Sequence, residues 1–222
     1  MRANRIKSTA VSIVVLSHML GASAQHSMPP KPAPQATGPD DLSAVRSIDA
    51  HTPRGIHVRL AQSAGPPVGA AATIYVLGET GYVKAREGTN GFSCLVERQR
   101  VDTLEPECFD REGTATTLRE RIFVEEERAK RKTEAQITAD VGAAYKSGRF
   151  IAPRKPGLVY MMSAFNYVLD PDSGRVIHFP GHLMFYAPYA TPEDVGVGPG
   201  APYLVNPGRP DALMIVVPAP HR

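Results

Sequence analysis

The chain has 222 residues, which is enough to bury one substantial hydrophobic core. It carries 25 basic and 22 acidic side chains, has no tryptophan, and is 7% aromatic. Since no basic patch is interleaved with aromatic side chains, this composition argues against a nucleic-acid-binding protein.

Residues 1–24 have the pattern of a secretory signal peptide. A basic start precedes a short apolar run at 10–20, and a small-residue cleavage site follows at 22–24. Three of the 25 basic side chains lie in this segment, so the mature chain has 22 basic and 22 acidic groups. No apolar run reaches the roughly 20 residues that cross a bilayer. We therefore expect an exported protein, periplasmic or secreted, with no transmembrane segment in the mature chain.

The next two segments precede the main folded unit. Residues 25–39 are proline-rich and nearly free of large apolar side chains, which predicts a disordered tether. Residues 40–69 predict a short helix near 40–48, ended by Pro53 and Gly55, and then a linker. Residues 70–222 are expected to form a single domain.

The folded domain is predicted to open with a strand, a tight turn at 78–81 and a returning strand. Cys94 and Cys108 follow, 14 positions apart. In an oxidising compartment this pair is expected to form a disulfide. A catalytic or metal-binding pair is the alternative, although the spacing is not that of a CxxC motif.

Two successive helices are predicted at 117–132 and 133–147. Thr117 with Glu120, and Thr133 with Gln136, have the spacing of capping boxes at helix starts. Apolar side chains recur on one face of each helix, so the pair is expected to pack on a sheet as a helical hairpin. The glutamates at 125–127 are interpreted as a solvated face because consecutive helical residues cannot converge on one point.

The last third is mostly strand and turn. Residues 170–174 predict a hairpin turn rather than a calcium loop, and the apolar run at 212–217 predicts a strand that is not an exposed edge. Together the elements predict an α+β fold, mainly an antiparallel sheet with a helical hairpin packed on it.

His178 and His182 flank Pro180-Gly181 between two apolar runs. If this pair forms the centre of a tight turn, the two strands fold into a central hairpin and the imidazoles become neighbours. Such a pair can ligate zinc or another divalent transition metal, with a carboxylate from elsewhere. The alternative is two structural, hydrogen-bonded histidines.

Arg86, Glu87 and Asn90 lie beside an Asn-Gly turn and are a candidate ligand-binding set. Charged groups beside tight turns also form ordinary surface ion pairs, which is the alternative interpretation.

Three segments, REGTNGFSC at 86–94, PRKPGLVYMMS at 153–163 and FPGHLMFYAP at 179–188, resemble segments of a group of uncharacterised exported bacterial proteins. The resemblance implies that these segments belong to one domain type, from about Ala61 onward. It implies no activity, cofactor or site.

Two classes of function follow from the sequence. The first is a non-enzymatic binding or structural domain whose partner is an unidentified small molecule or protein. The second is a metal-dependent enzyme that uses His178 and His182.

Overall fold

The computed structural model describes residues 42–170 and 172–216. The segments interpreted as signal peptide and tether, 1–24 and 25–39, lie outside these residues. Within them, no helix is both long and apolar enough to cross a membrane.

The main structural element is an eight-stranded mixed sheet in the order β2-β1-β3-β4-β5-β8-β10-β9. Its strands are β1 (Thr73–Gly78), β2 (Gly81–Arg86), β3 (Ser93–Glu97), β4 (Glu105–Phe109), β5 (Leu158–Met161), β8 (His182–Tyr186), β9 (Tyr203–Val205) and β10 (Leu213–Ile215). Every pairing is antiparallel except that of β1 with β3. The strand at the end of the described chain, β10, lies between β8 and β9 and is not an edge, as its apolar sequence predicts.

A small second sheet is formed by β6 (Tyr167–Leu169) and β7 (Val176–His178). Asp170 caps the connecting turn, because its carboxylate accepts hydrogen bonds from the backbone amides of Asp172 and Ser173. The hairpin turn predicted for this segment is confirmed.

Five helices complete the described fold: α1 (Arg54–Ser63), α2 (Arg111–Ala115), α3 (Thr117–Ala129), α4 (Glu134–Lys146) and α5 (Pro192–Val195). As predicted, α3 and α4 contact each other and the helical pair packs on the sheet, so the α+β class is confirmed.

The capping boxes have different outcomes. At α4 the box is complete: Thr133 Oγ1 accepts from the amide of Gln136, and Gln136 Oε1 accepts from the amide of Thr133. At α3 the prediction is wrong, because α2 runs directly into this helix and Thr117 Oγ1 is buried with no hydrogen-bond partner among the described residues. Glu120 instead accepts a hydrogen bond from Tyr145.

The first helix packs in the core. Leu60, Ala61 and Ala64 at α1 are fully buried, and Cys108 Sγ lies 3.5 Å from the carbonyl of Ala61. The helix expected at 40–48 is only a 3-10 turn at Leu42–Ala44, and Pro53 precedes α1 rather than ending a helix. Proline is well tolerated there, since the first amides of a helix need no partner within it.

The two faces of the sheet carry different helices. Glu107 and Cys108 are neighbours in β4 and therefore point to opposite faces. Cys108 contacts α1, whereas Glu107 lies near Arg121 of α3. The face under α1 is apolar, and the face under α3 is strongly charged.

The predicted disulfide is present between Cys94 and Cys108. These residues are directly opposite each other in β3 and β4, and both are fully buried. The bridge therefore joins two central strands beneath α1.

Candidate functional site

A cleft of about 580 Å³ lies at one end of the sheet. Four parts of the chain form its walls: residues 49–51, the β1–β2 turn, the β3–β4 loop, and the junction between α3 and α4. Tight turns and helix ends meet here, so polar groups that need no strand pairing line an open depression.

The floor of the cleft is a fixed ionic network around Glu125, whose side chain is only 3% exposed. Its two oxygens accept from Arg98 Nη2 and Arg128 Nη1, both at 2.7 Å. Arg128 also donates through Nε to Glu134 at 2.9 Å. A carboxylate that holds two guanidinium groups fixes the positions of both.

The two arginines also donate to backbone carbonyls. Arg128 reaches the carbonyls of Arg98 and Gln99 in the β3–β4 loop, and Arg98 reaches the carbonyl of Ile48. The network therefore ties the loop at 98–99 and the segment before α1 to the end of α3, which makes the cleft a preformed structure.

Charges that line the cleft are balanced. The acidic side chains are Asp49, Glu79, Glu125 and Glu134, and the basic ones are Arg98, Arg100, Arg128 and Lys132, with His51 beside them. Apolar lining comes from Leu77, Val101 and the two alanines Ala50 and Ala129. Val101 is 73% exposed, so the lining includes an apolar side chain that is accessible to solvent.

A buried histidine lies next to this network. His57 of α1 is 2% exposed, and its Nε2 lies 3.1 Å from the carbonyl of Asp49, so Nε2 carries the proton. Its Nδ1 and the Nε of Arg98 are both buried without a hydrogen-bond partner in the described chain. Burial lowers the pKa of His57, with a smaller opposing effect from the Asp49 carbonyl.

A second polar cluster lies between the sheet and α3. Glu97 and Glu105 are directly opposite in β3 and β4, and Glu107 follows on the same face. Arg121 faces them, with Nε 2.8 Å from Glu97 Oε2 and 3.9 Å from Glu107 Oε2. Glu120 adds a further carboxylate, 3.7 Å from Arg121 Nη1.

Three carboxyl groups of this cluster hold protons more tightly than in water. Burial, followed by repulsion from Glu97, raises the pKa of Glu105 to about 8 and that of Glu107 well above its usual value. Burial also raises the pKa of Glu120. We interpret the cluster as a buried proton-holding network that fixes α3 on the sheet, because its central groups are sealed from solvent.

The structure corrects the expectation for the glutamates of α3. Glu125 and Glu127 are each 3% exposed rather than solvated. Glu125 holds the cleft arginines, and Glu127 forms ion pairs with Lys130, at 2.6 Å, and Lys132. Their burial follows from the charged partners that surround them, which the helical spacing alone does not reveal.

The central hairpin predicted around Pro180-Gly181 is wrong. His178 belongs to β7, which pairs with β6, whereas His182 belongs to β8, which pairs with β5 and β10. Pro180-Gly181 therefore links two sheets instead of turning one strand back on the other. Gly181 passes so close to Met162 that an added Cβ would lie 2.9 Å from its backbone.

Each histidine contacts a backbone carbonyl. His178 Nε2 lies 3.0 Å from the carbonyl of Ala164, and His182 Nδ1 lies 3.2 Å from that of Pro180. The Nε2 of His182 is buried and has no hydrogen-bond partner within 42–170 and 172–216, and burial lowers the pKa of this residue. The described residues contain no group of three or more histidine, cysteine or acidic side chains arranged to hold a metal ion.

The second candidate set is Arg86, Glu87 and Asn90, and two of its three side chains bind backbone carbonyls. Arg86 donates to the carbonyls of Gly69 and Ala72, and Asn90 donates to that of Val68. Glu87 is exposed and pairs with Lys84 at 2.7 Å. Arg86 and Asn90 therefore fasten the loop before β1.

The cleft residues were not selected from the sequence, although one signal was present. Arg121, Glu125 and Arg128 recur at spacings of four and three along α3, as the buried face of a helix does. Alternate positions of β4 carry Glu105 and Glu107. A stripe of mixed charge on α3 and an acidic stripe on β4 predict a polar interface, but apolar periodicity is the usual criterion and does not detect either stripe.

No family model, curated protein or solved structure matches this chain.

Proposed function

We propose that this chain is an exported, non-enzymatic binding domain whose cleft binds a small zwitterion, such as an amino acid or a short peptide. The observation that carries the proposal is the balanced set of fixed charges around the Glu125 network. A zwitterion offers a carboxylate to the guanidinium groups and an ammonium to the carboxylates.

The cleft is of a size that small-molecule sites commonly have, since such sites range over about 300 to 1,000 Å³. Arg98, Glu125, Arg128 and Glu134 are already held by one another, so these four side chains need little ordering on binding. Asp49 and Glu79 supply further carboxylates to the lining, which also contains the guanidinium of Arg98. The exposed Val101 provides an apolar contact for a ligand side chain.

Export is supported by the disulfide between Cys94 and Cys108, since such bonds persist mainly in oxidising compartments. The signal-peptide pattern at 1–24 is the second support.

The purified mature protein would be screened by thermal shift with amino acids, dipeptides, neutral sugars and dicarboxylates. We expect zwitterionic compounds to raise the melting temperature and the others to leave it unchanged. Stabilisation by sugars or dicarboxylates alone would contradict the ligand class, and no stabilisation by any compound would contradict the binding function.

No observation in the described structure favours the alternative of a metal-dependent enzyme using His178 and His182. This alternative remains a prediction from the sequence. Elemental analysis of the purified protein and of a His178→Ala/His182→Ala variant tests it, since loss of a stoichiometric divalent metal in the variant would support it.

A further inference from the structure

A groove of about 230 Å³ lies on the outer side of α3, apart from the cleft. It is lined by Arg119, Ile122, Phe123, Glu126, Arg149 and Phe150. The four residues from α3 recur at spacings of three, four and seven, so they share one face of the helix. The segment that follows α4 supplies the opposite wall.

The guanidinium of Arg149 is held in place by aromatic rings. Its Cζ lies 4.6 Å from the ring centroid of Phe123 and 5.5 Å from that of Phe150. The two rings are themselves in edge contact, with centroids 5.4 Å apart, and Tyr145 also packs edge-on against Phe150, at 5.6 Å. Stacking of this kind orients the planar group while leaving its hydrogen-bond donors available.

Arg119 and Arg149 are both exposed, and neither forms an ion pair or a side-chain hydrogen bond within 42–170 and 172–216. Other arginines of the same helix behave differently: Arg121 pairs with Glu97 at 2.8 Å, and Arg128 pairs with the buried Glu125 at 2.7 Å. Two guanidinium groups with free donors therefore line one groove.

The segment after α4 also carries exposed cations and an exposed apolar side chain. Ile151 is 40% exposed directly beside the groove-lining Phe150. Arg154 and Lys155 follow, and both are exposed with no side-chain ion pair in the described chain. The residues that follow the groove in sequence thus add two exposed cations and an exposed aliphatic side chain.

We propose that this groove is a docking site for an acidic segment of a partner protein. Carboxylates of the segment pair with Arg119 and Arg149, and an apolar side chain next to them packs on Ile122 and Ile151. Charge complementarity argues for an acidic occupant, and arginine is the side chain best suited to hold a carboxylate through two hydrogen bonds. A concave groove favours an extended peptide over a flat membrane surface.

Glu126 makes the charge of the groove different at its two ends. It lies seven residues after Arg119, which is about 10 Å along the helix axis at a rise of 1.5 Å per residue. A segment that is acidic at one end and neutral or basic at the other fits this arrangement better than a uniformly acidic one.

The test uses the mature protein and a fluorescein-labelled peptide that alternates glutamates and leucines at one end and glycines and serines at the other. Fluorescence anisotropy is measured at low and high salt. We expect saturable binding that weakens as salt rises, and at least a tenfold loss of affinity in an Arg119→Glu/Arg149→Glu variant.

The matched control is Arg131→Glu/Arg175→Glu, which changes the net charge equally at two exposed positions outside the groove. We expect this variant to bind the peptide within about twofold of the unmodified chain. An equal loss of affinity in both variants would show that peptide binding depends only on the net charge of the protein, and would overturn the proposal. So would the absence of binding, or binding to phosphatidylglycerol vesicles alone.

Discussion

At the scale of single residues, Arg121 has the most unusual surroundings. Its guanidinium is 9% exposed and faces carboxylates on two strands and on its own helix. Buried charges are stable only when they are paired, so the single cation holds several acidic groups in place. Arg121 should therefore make a large contribution to the free energy of unfolding.

Replacing Arg121 with methionine should lower the free energy of unfolding by about 3 to 5 kcal/mol, as expected when one partner of a buried ion pair is removed. Urea unfolding followed by circular dichroism measures this loss. Arg100→Met is the control: Arg100 pairs with Asp102 at the surface, so its loss should be about 0 to 1 kcal/mol. Similar losses in both variants would contradict the account of the cluster.

The raised pKa values predict how stability depends on pH. The pKa of Glu105 is about 8 in the folded protein, against 4.5 when the group is free. The folded state therefore binds its proton more tightly, and this stabilisation is complete below about pH 4.5 and is lost as the pH rises through 8. Glu107 acts in the same direction.

Between pH 7 and 9 the free energy of unfolding should fall, and the fall should be shallower in a Glu105→Gln variant, which keeps the neutral form at every pH. His57 does not disturb this window: its pKa is lowered from 6.5, so it is neutral above pH 7 in both states. Urea titrations at several pH values give the slope. An unchanged slope in the variant would show that Glu105 is not the titrating group.

At the scale of elements, the hydroxyls at the starts of α3 and α4 have opposite roles. Thr133 caps α4 through a complete box, whereas Thr117 Oγ1 is buried and unpaired in the part of the chain that the structure describes. Thr133→Ala should cost about 1 kcal/mol because an amide at the helix start loses its acceptor. Thr117→Val should be neutral or stabilising, since it replaces a buried unpaired hydroxyl with a methyl group.

Thermal and urea unfolding of the two variants tests this assignment. Both substitutions change a single threonine near a helix start, so their comparison separates capping from general effects. A loss of about 1 kcal/mol for Thr117→Val would mean that Thr117 acts as a cap after all.

The elements also show which features the sequence predicts well. Both long helices follow from apolar periodicity, with a capping box that is present at α4 only, and the β1–β2 hairpin, the turn at 170–174 and the disulfide follow from glycines, turn residues and the two cysteines. These features depend on residues close together in the chain, so local sequence patterns are sufficient to predict them. The α+β class follows from the same elements.

Features that depend on distant residues were predicted poorly. Pro180-Gly181 has the local chemistry of a turn, but β7 pairs with β6 and β8 pairs with β5, so the histidines lie in separate sheets. The cleft is assembled from the β1–β2 turn, the β3–β4 loop and the α3–α4 junction, which only the tertiary fold brings together. Strand β4 was missed because its alternation places glutamates, not apolar side chains, under α3.

At the scale of the whole molecule, the disulfide holds the centre of the sheet. It links β3 and β4 at residues 14 positions apart. Closing a loop of about 15 residues stabilises the folded state by roughly 3 kcal/mol in the chain-entropy model. A Cys94→Ala/Cys108→Ala variant should show a loss of this order in urea unfolding, and an unchanged midpoint would contradict a stabilising role.

The cleft around Glu125 should bind a small zwitterion if the proposed function is correct. Isothermal titration calorimetry with the zwitterion that gives the largest thermal shift tests it most directly, on the unmodified chain and on an Ala129→Trp variant. Ala129 is the exposed last residue of α3 and lines the cleft, so an indole there fills the space without disturbing the core. Ala143→Trp, at an exposed position of α4 away from the cleft, is the control. We expect at least a tenfold loss of affinity for Ala129→Trp and none for Ala143→Trp. Equal affinity in all three proteins would show that the ligand does not bind in this cleft.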